Sequence, residues 1–172
     1  SSSTIFGNLS VTGTNIAPAA ADAGQIGIGL LRLTLNATGE RINITSINVT
    51  SNNTANRDVL SVRLFNDTGG ATLGTYERGV DLPVPGASGV FGGTSGGSVL
   101  LTPTTPMQVE NGTLVYIYVG VDVNTTASIG ADRLAVSIQS ATAVNATGNE
   151  SLVSLTAQLI TGDPGGATDI RN

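Results

Sequence analysis

Ten consecutive residues, Leu114 to Val123 (LVYIYVGVDV), alternate without a break, and this run restricts the chain to folds with a sheet at their centre. Val115, Ile117, Val119, Val121 and Val123 share one face, and Leu114, Tyr116, Tyr118, Gly120 and Asp122 share the other. One face is wholly β-branched and the other mixed, the pattern of a central strand covered on one side. After the loop NTTASIGAD, Leu134, Val136 and Ile138 alternate with Arg133, Ala135 and Ser137, which predicts an antiparallel hairpin sharing a core face.

The remainder of the chain is also strand and turn chemistry. Only 11% of its 172 residues are charged, Lys is absent, Gly is abundant, and Ser, Thr, Val and Asn dominate. The length suits one domain with a real core. The expected fold is all-β, an antiparallel β-sandwich of immunoglobulin-like or jelly-roll type with about nine strands.

Composition also narrows function. With no Cys there are no disulfides, thiolate nucleophiles or zinc-thiolate sites, and with no His there is no Ser-His-Asp relay and no H-E-x-x-H metal motif. No Gly-rich piece carries the Lys-Ser or Lys-Thr of a phosphate loop, and a non-enzymatic role without a cofactor is expected. A net charge of −5 with no basic patch gives nucleic acid no electrostatic footing. The apolar runs fall far short of the roughly 18 residues of a membrane span. Starting at Ser1 without a basic or apolar leader, the chain reads as a processed product.

The N-x-[ST] sequon recurs at Asn8, Asn36, Asn43, Asn48, Asn52, Asn66, Asn111, Asn124, Asn145 and Asn149. Random placement would yield about three. The pattern points to a heavily N-glycosylated surface, whose glycans replace the charged side chains that normally keep a protein solvated.

Along the chain, residues 1–13 hold an isolated alternating strand whose apolar residues are Ile5, Phe6, Leu9 and Val11, with Ile5, Gly7, Leu9 and Val11 on one face. Residues 14–29, rich in Ala and Gly, read as a linker or irregular edge, and residues 30–172 as the sandwich domain. A strand ahead of a linker can pair within its own sheet or with a neighbour's. Leu31, Leu33 and Leu35 point inward, NATGE turns, and the returning limb changes phase at Thr45 and Ser46, the mark of a bulge or a crossing between sheets. Next, Leu60, Val62 and Leu64 are expected to face one way. Asp67, Glu77 and Asp81 are oxygen donors of the kind calcium takes, but their spacing lacks the regularity of a calcium loop and makes them weak candidates. The Gly- and Pro-rich excursion from Asp81 to Ser98 reads as a long loop, with Val84, Val90 and Phe91 its candidates for contact between subunits.

The arrangement LRLTLNATGERINITSINVTSN, then DVLSVRLFND, then VENGTLVYIYVGVDVNTTASIGADRLAVSI resembles a β-sandwich module of secreted archaeal and bacterial surface proteins over roughly residues 30 to 140. With the separate first strand and the sequons, the chain looks like a subunit of an archaeal extracellular filament. The nearest classes are bundling pili related to the TasA and camelysin biofilm-fibre family, glycosylated archaeal threads, and calcium-dependent cannula tubes. The resemblance implies a helical homopolymer of identical subunits joined by donor-strand complementation, in adhesion or biofilm formation. The protease activity that names camelysins does not carry over, because no His is present to hold a metal. The alternative is a surface-layer or adhesin module that binds glycans or other cells without polymerising.

Overall fold

The computed structural model describes residues 6–53, 55–68, 72–130, 132–139, 141–156, 158–161 and 168–170. Among the described residues, fifteen strands run in chain order: β1 (Asn8–Asn15), β2 (Ala20–Ala21), β3 (Ile28–Thr38), β4 (Ile42–Ser51), β5 (Val59–Asn66), β6 (Pro83–Gly89), β7 (Ser98–Leu101) and β8 (Met107–Val109) come first. They are followed by β9 (Leu114–Val123), β10 (Arg133–Leu134), β11 (Val136–Ser137), β12 (Val144–Gly148), β13 (Ser154–Thr156), β14 (Gln158–Thr161) and β15 (Thr168–Ile170). The excess over nine comes mostly from pieces of two to four residues, too short to leave a periodic signal, and from β6 and β12, which alternation did not mark.

The all-β sandwich is as expected. One sheet has the order β14-β1-β3-β9-β5-β6; the second runs β11-β4-β12-β13, with β7 and β8 also on β4; a small third sheet is β10-β15-β2. The two large sheets are antiparallel except where β1 meets β14. Between them, Leu31, Leu33 and Leu35 of β3, Val62 and Leu64 of β5 and Val119 and Val121 of β9 meet Ile42, Ile44, Ile47 and Val49 of β4. All are fully buried, and each such side chain contributes about 1.5–3 kcal/mol.

The strand at 114–123 is central, but it does not form a hairpin with the strand after it. Both edges of β9 are taken, one by β3 (Leu33↔Ile117) and one by β5 (Leu64↔Val119). The chain therefore leaves this sheet after Val123, and β11 joins β4 in the opposite layer. The turn after Leu35 likewise crosses between layers: β3 belongs to one sheet and β4 to the other. Gly39 supplies the left-handed backbone this crossing needs, at φ 88°.

The phase change in β4 is a bulge. Asn145 pairs with Ser46 and Ala146 with Ile44, which leaves Thr45 unopposed, and Ser46 and Ile47 are consecutively buried. A second bulge overturns one sequence expectation. Val59 pairs with Val123 and Ser61 with Asp122, so Leu60 bulges outward, 56% exposed, and Val59 takes its place inside.

Candidate functional site

The first strand lies within its own chain's sheet. Each of its eight residues pairs antiparallel with β3, from Asn8↔Thr38 to Asn15↔Leu31, and its other edge runs parallel to β14 (Ser10↔Gln158, Val11↔Leu159). Leu9 and Val11 are buried in the core, as the alternation predicts, while Phe6 precedes the strand and is 59% exposed; Ile5 lies outside the described residues. The strand ends at Asn15 rather than near residue 12. The segment after it is an ordered edge rather than a free linker: β2 pairs with β15, the Gly24 N–H donates to the Asn124 carbonyl (3.2 Å), and the Val123 N–H donates to the Gln25 carbonyl (2.8 Å).

On the outer face of the same sheet, residues 72–82, between β5 and β6, fold back as a lid. Tyr76 lies over Gly29, where an added Cβ would stand 2.5 Å from the ring, and Phe65 lies over Gly120. The rings of Phe65, Tyr76 and Tyr118 pack at centroid separations of 5.4 and 5.2 Å. The second face of β9 is thus covered too, and Tyr118 is fully buried. Burial, followed by its hydrogen bond to Asp67, pushes the Tyr118 hydroxyl well above the usual phenol range, and burial carries Tyr76 to about 12.

Under this lid, Asp122 accepts three hydrogen bonds: from the Ser61 hydroxyl (2.7 Å), the Gly27 N–H (2.8 Å) and the Arg63 guanidinium (2.6 Å). Burial alone would raise its pKa, but the donors together outweigh burial and hold the carboxyl below its usual value. Tyr76 donates to the carbonyl of the same Gly27 (2.8 Å). Two clefts of about 450 and 470 Å³ flank Tyr76 and Arg78; the first also takes in Arg32 and Gln25, the second Arg63 and Asp81.

The three acids singled out for calcium act as ties within this lid. Asp67 accepts from the Gly74 N–H (2.5 Å) and the Tyr118 hydroxyl (3.0 Å); Asp81 accepts from the Thr68 N–H (3.1 Å) and the Glu77 N–H (2.7 Å); Glu77 accepts from the Thr72 N–H (3.2 Å). Among the described residues no three acidic side chains converge as a metal cluster.

The proposed subunit contacts divide. Val84 and Phe91 are buried in the chain's own core at 6% and 4% exposure, and Val90 is exposed. The excursion that carries them is partly a strand, since β6 extends the sheet along β5. Its prolines are tolerated because β6 lies at the sheet edge.

None of the ten sequon asparagines is buried, whereas Asn53 and Asn56, which carry no sequon, are. Four sequons use the amide nitrogen internally: Asn43 donates to Asn149, Asn52 to Ser137, Asn124 to the Arg57 carbonyl and Asn145 to Ser46. The side chains of Asn8, Asn36, Asn48, Asn66 and Asn111 make no such bond among the described residues.

Among the described residues no helix is long and apolar enough to cross a membrane. No protein-family model matches the chain, and no curated protein sequence matches it.

Proposed function

We propose that the chain is the structural subunit of an extracellular, pilus-like filament, a helical homopolymer in which β1 of one subunit fills the slot between β3 and β14 of the next. The observation that carries this reading is the form of β1. It is a complete plug, paired along both edges and with Leu9 and Val11 seated in the core, and it joins the body through residues 16–27. A second copy of β1 can make every one of these contacts, so exchange conserves the hydrogen bonds and apolar burial and needs only the segment around Pro18 to swing out. Glycans on the exposed sequons, first those with an unengaged amide nitrogen, would solvate so weakly charged a filament. Adhesion or biofilm formation is the role that fits such a fibre.

The rival reading is a surface-layer or adhesin module that binds glycans without polymerising. It is favoured by the cleft beside Tyr76, where Arg32, Arg78 and Gln25 gather around an aromatic ring in the manner of a saccharide site. Deleting Ser1 to Thr12 separates the two. A donor-strand subunit without these residues forms no filament under negative stain, and a synthetic peptide of residues 4–15 restores a folded monomer that still cannot polymerise. Normal filaments from the deletion variant, or an intact chain that stays monomeric by light scattering at every concentration, would sink the filament reading.

A further inference from the structure

Seven arginines are all the cationic side chains this sequence has, against twelve acids. Three of them meet a carboxylate: Arg41 Nε lies 2.7 Å from Glu110, Arg57 Nη2 3.6 Å from Asp132 and Arg63 Nη2 2.6 Å from Asp122. Arg32 and Arg78 form no ion pair among the described residues. Each is held instead by a main-chain carbonyl, Arg32 Nη1 by Gly74 (2.7 Å) and Arg78 Nε by Ile26 (2.7 Å). A carbonyl fixes a guanidinium in place without neutralising it. Both arginines line the cleft of about 450 Å³ beside Tyr76, and no Asp or Glu lines it with them. In a protein of net charge −5, that is a local reversal of sign.

The other groups of the cleft agree with this. Arg32 Nε is buried without an acceptor. Gln25 spends its Oε1 on the Asp22 N–H (3.0 Å), which leaves its amide nitrogen as a donor. The acids of the adjoining lid already have work: Asp67 accepts from the Gly74 N–H, Asp81 from the Glu77 N–H, and Asp122 is taken by Arg63. Ile16, Pro18 and the half-buried Tyr76 add carbon surface, and the Tyr76 hydroxyl is turned away onto the Gly27 carbonyl.

We infer that this cleft binds a carboxylate-bearing sugar, a hexuronate residue of an acidic glycan. The carboxylate is the counter-ion that Arg32 and Arg78 lack, and the C–H faces of the pyranose pack on the carbon wall. The volume takes roughly one or two such rings, within the usual range of small-ligand sites. Bonds from a guanidinium to a carboxylate are stronger than those to a neutral hydroxyl, so the acidic sugar is selected over a neutral one of the same shape. The inference does not depend on polymerisation: Arg32, Tyr76 and Arg78 lie outside the segment around Pro18 that strand exchange moves, and both guanidiniums are in place with β1 exchanged or folded back.

Titration of galacturonate and glucuronate into the intact chain, followed by amide NMR shifts, tests the site, with galactose and a hexaglutamate peptide as comparisons. At least one uronate shifts the amides of Gly27–Gly29 and Gly74–Arg78 saturably, and galactose binds at least about tenfold more weakly. Arg78→Gln, at an exposed position, melts as the wild type does and weakens uronate binding at least about tenfold. Arg41→Gln, whose arginine is already paired with Glu110, leaves binding unchanged. Absence of saturable binding by either uronate overturns the site, as does equal binding by galactose or by a folded Arg78→Gln. Hexaglutamate binding as tightly as the uronates would replace the sugar with an acidic peptide and overturn it too. Filaments under negative stain are a separate readout that none of these results moves.

Discussion

Asp122 and Asp58 are both buried carboxylates at the same end of the β5–β9 pair, and their surroundings are opposite. Three donors surround Asp122, including Arg63 at 2.6 Å; Asp58 receives one N–H and faces another acid. Burial pushes both carboxyls up. At Asp122 the donors win and the pKa falls; at Asp58 burial, reinforced by Asp132, wins over Ser128 and Arg57, and the pKa rises. The lesson is that burial alone does not say whether an acid holds a fold together. The donor count does: one carboxylate is closed by the protein's own donors, and the other has one N–H and a second acid beside it.

The strongest way to break this comparison is to remove the satisfied acid. Asp122→Ala strands Arg63, the Gly27 N–H and the Ser61 hydroxyl, and is expected to cost about 3–5 kcal/mol in urea unfolding, the range for breaking one side of a buried pair. A cost below about 1 kcal/mol would mean that water already satisfies the cluster.

The lid above Asp122 comes next. Gly29→Ala places a Cβ against the Tyr76 ring and should cost about 1–3 kcal/mol by overpacking. Tyr76→Phe keeps the ring and loses only the bond to the Gly27 carbonyl, for about 1 kcal/mol. Equal costs for the two would show that the hydroxyl, not the close approach at Gly29, seats the lid.

Acidity sharpens the same contrast. Because the folded pKa of Asp122 is depressed, its contribution is complete above the unfolded value of 3.8 and is lost as pH falls through the lower folded value. The stability gap between wild type and Asp122→Asn should therefore be constant from pH 7 to about 5 and close below about 4. A gap that persists into acid would show that the carboxylate charge is not what Arg63 and Gly27 recognise.

Local pattern made the strands legible, and the bulge at Thr45 as well, since each is encoded in the alternation of its own residues. Pairing partners were not. Nothing within Leu114–Val123 says that β3 and β5 already occupy both its edges, so the apparent hairpin dissolved. Val84 read as a loop residue because glycine and proline mask an edge strand's period. The acids fared likewise. Asp67, Glu77 and Asp81 attract notice by closeness in sequence yet serve backbone N–H groups, whereas Asp58 and Asp132, far apart in sequence, are joined only by the crossover. Asp122 read simply as a member of the mixed face of its strand, and its three partners come from two other segments, Ser61 and Arg63 from β5 and Gly27 from the stretch before β3.

The smallest expected effect is also the most discriminating. Asp58→Asn keeps an oxygen for the Ser128 N–H and sets an amide donor against the Asp132 carboxylate, so it removes a like-charge contact and adds a hydrogen bond. At neutral pH its urea midpoint should equal or exceed that of the wild type, by up to about 1 kcal/mol, whereas Asp122→Asn under the same conditions is destabilising because its amide confronts Arg63 and an N–H. If both substitutions cost the same, the two acids are equally satisfied and the distinction between them disappears. If the signs differ, the chain carries one carboxylate that builds its sheet and one whose charge works against it.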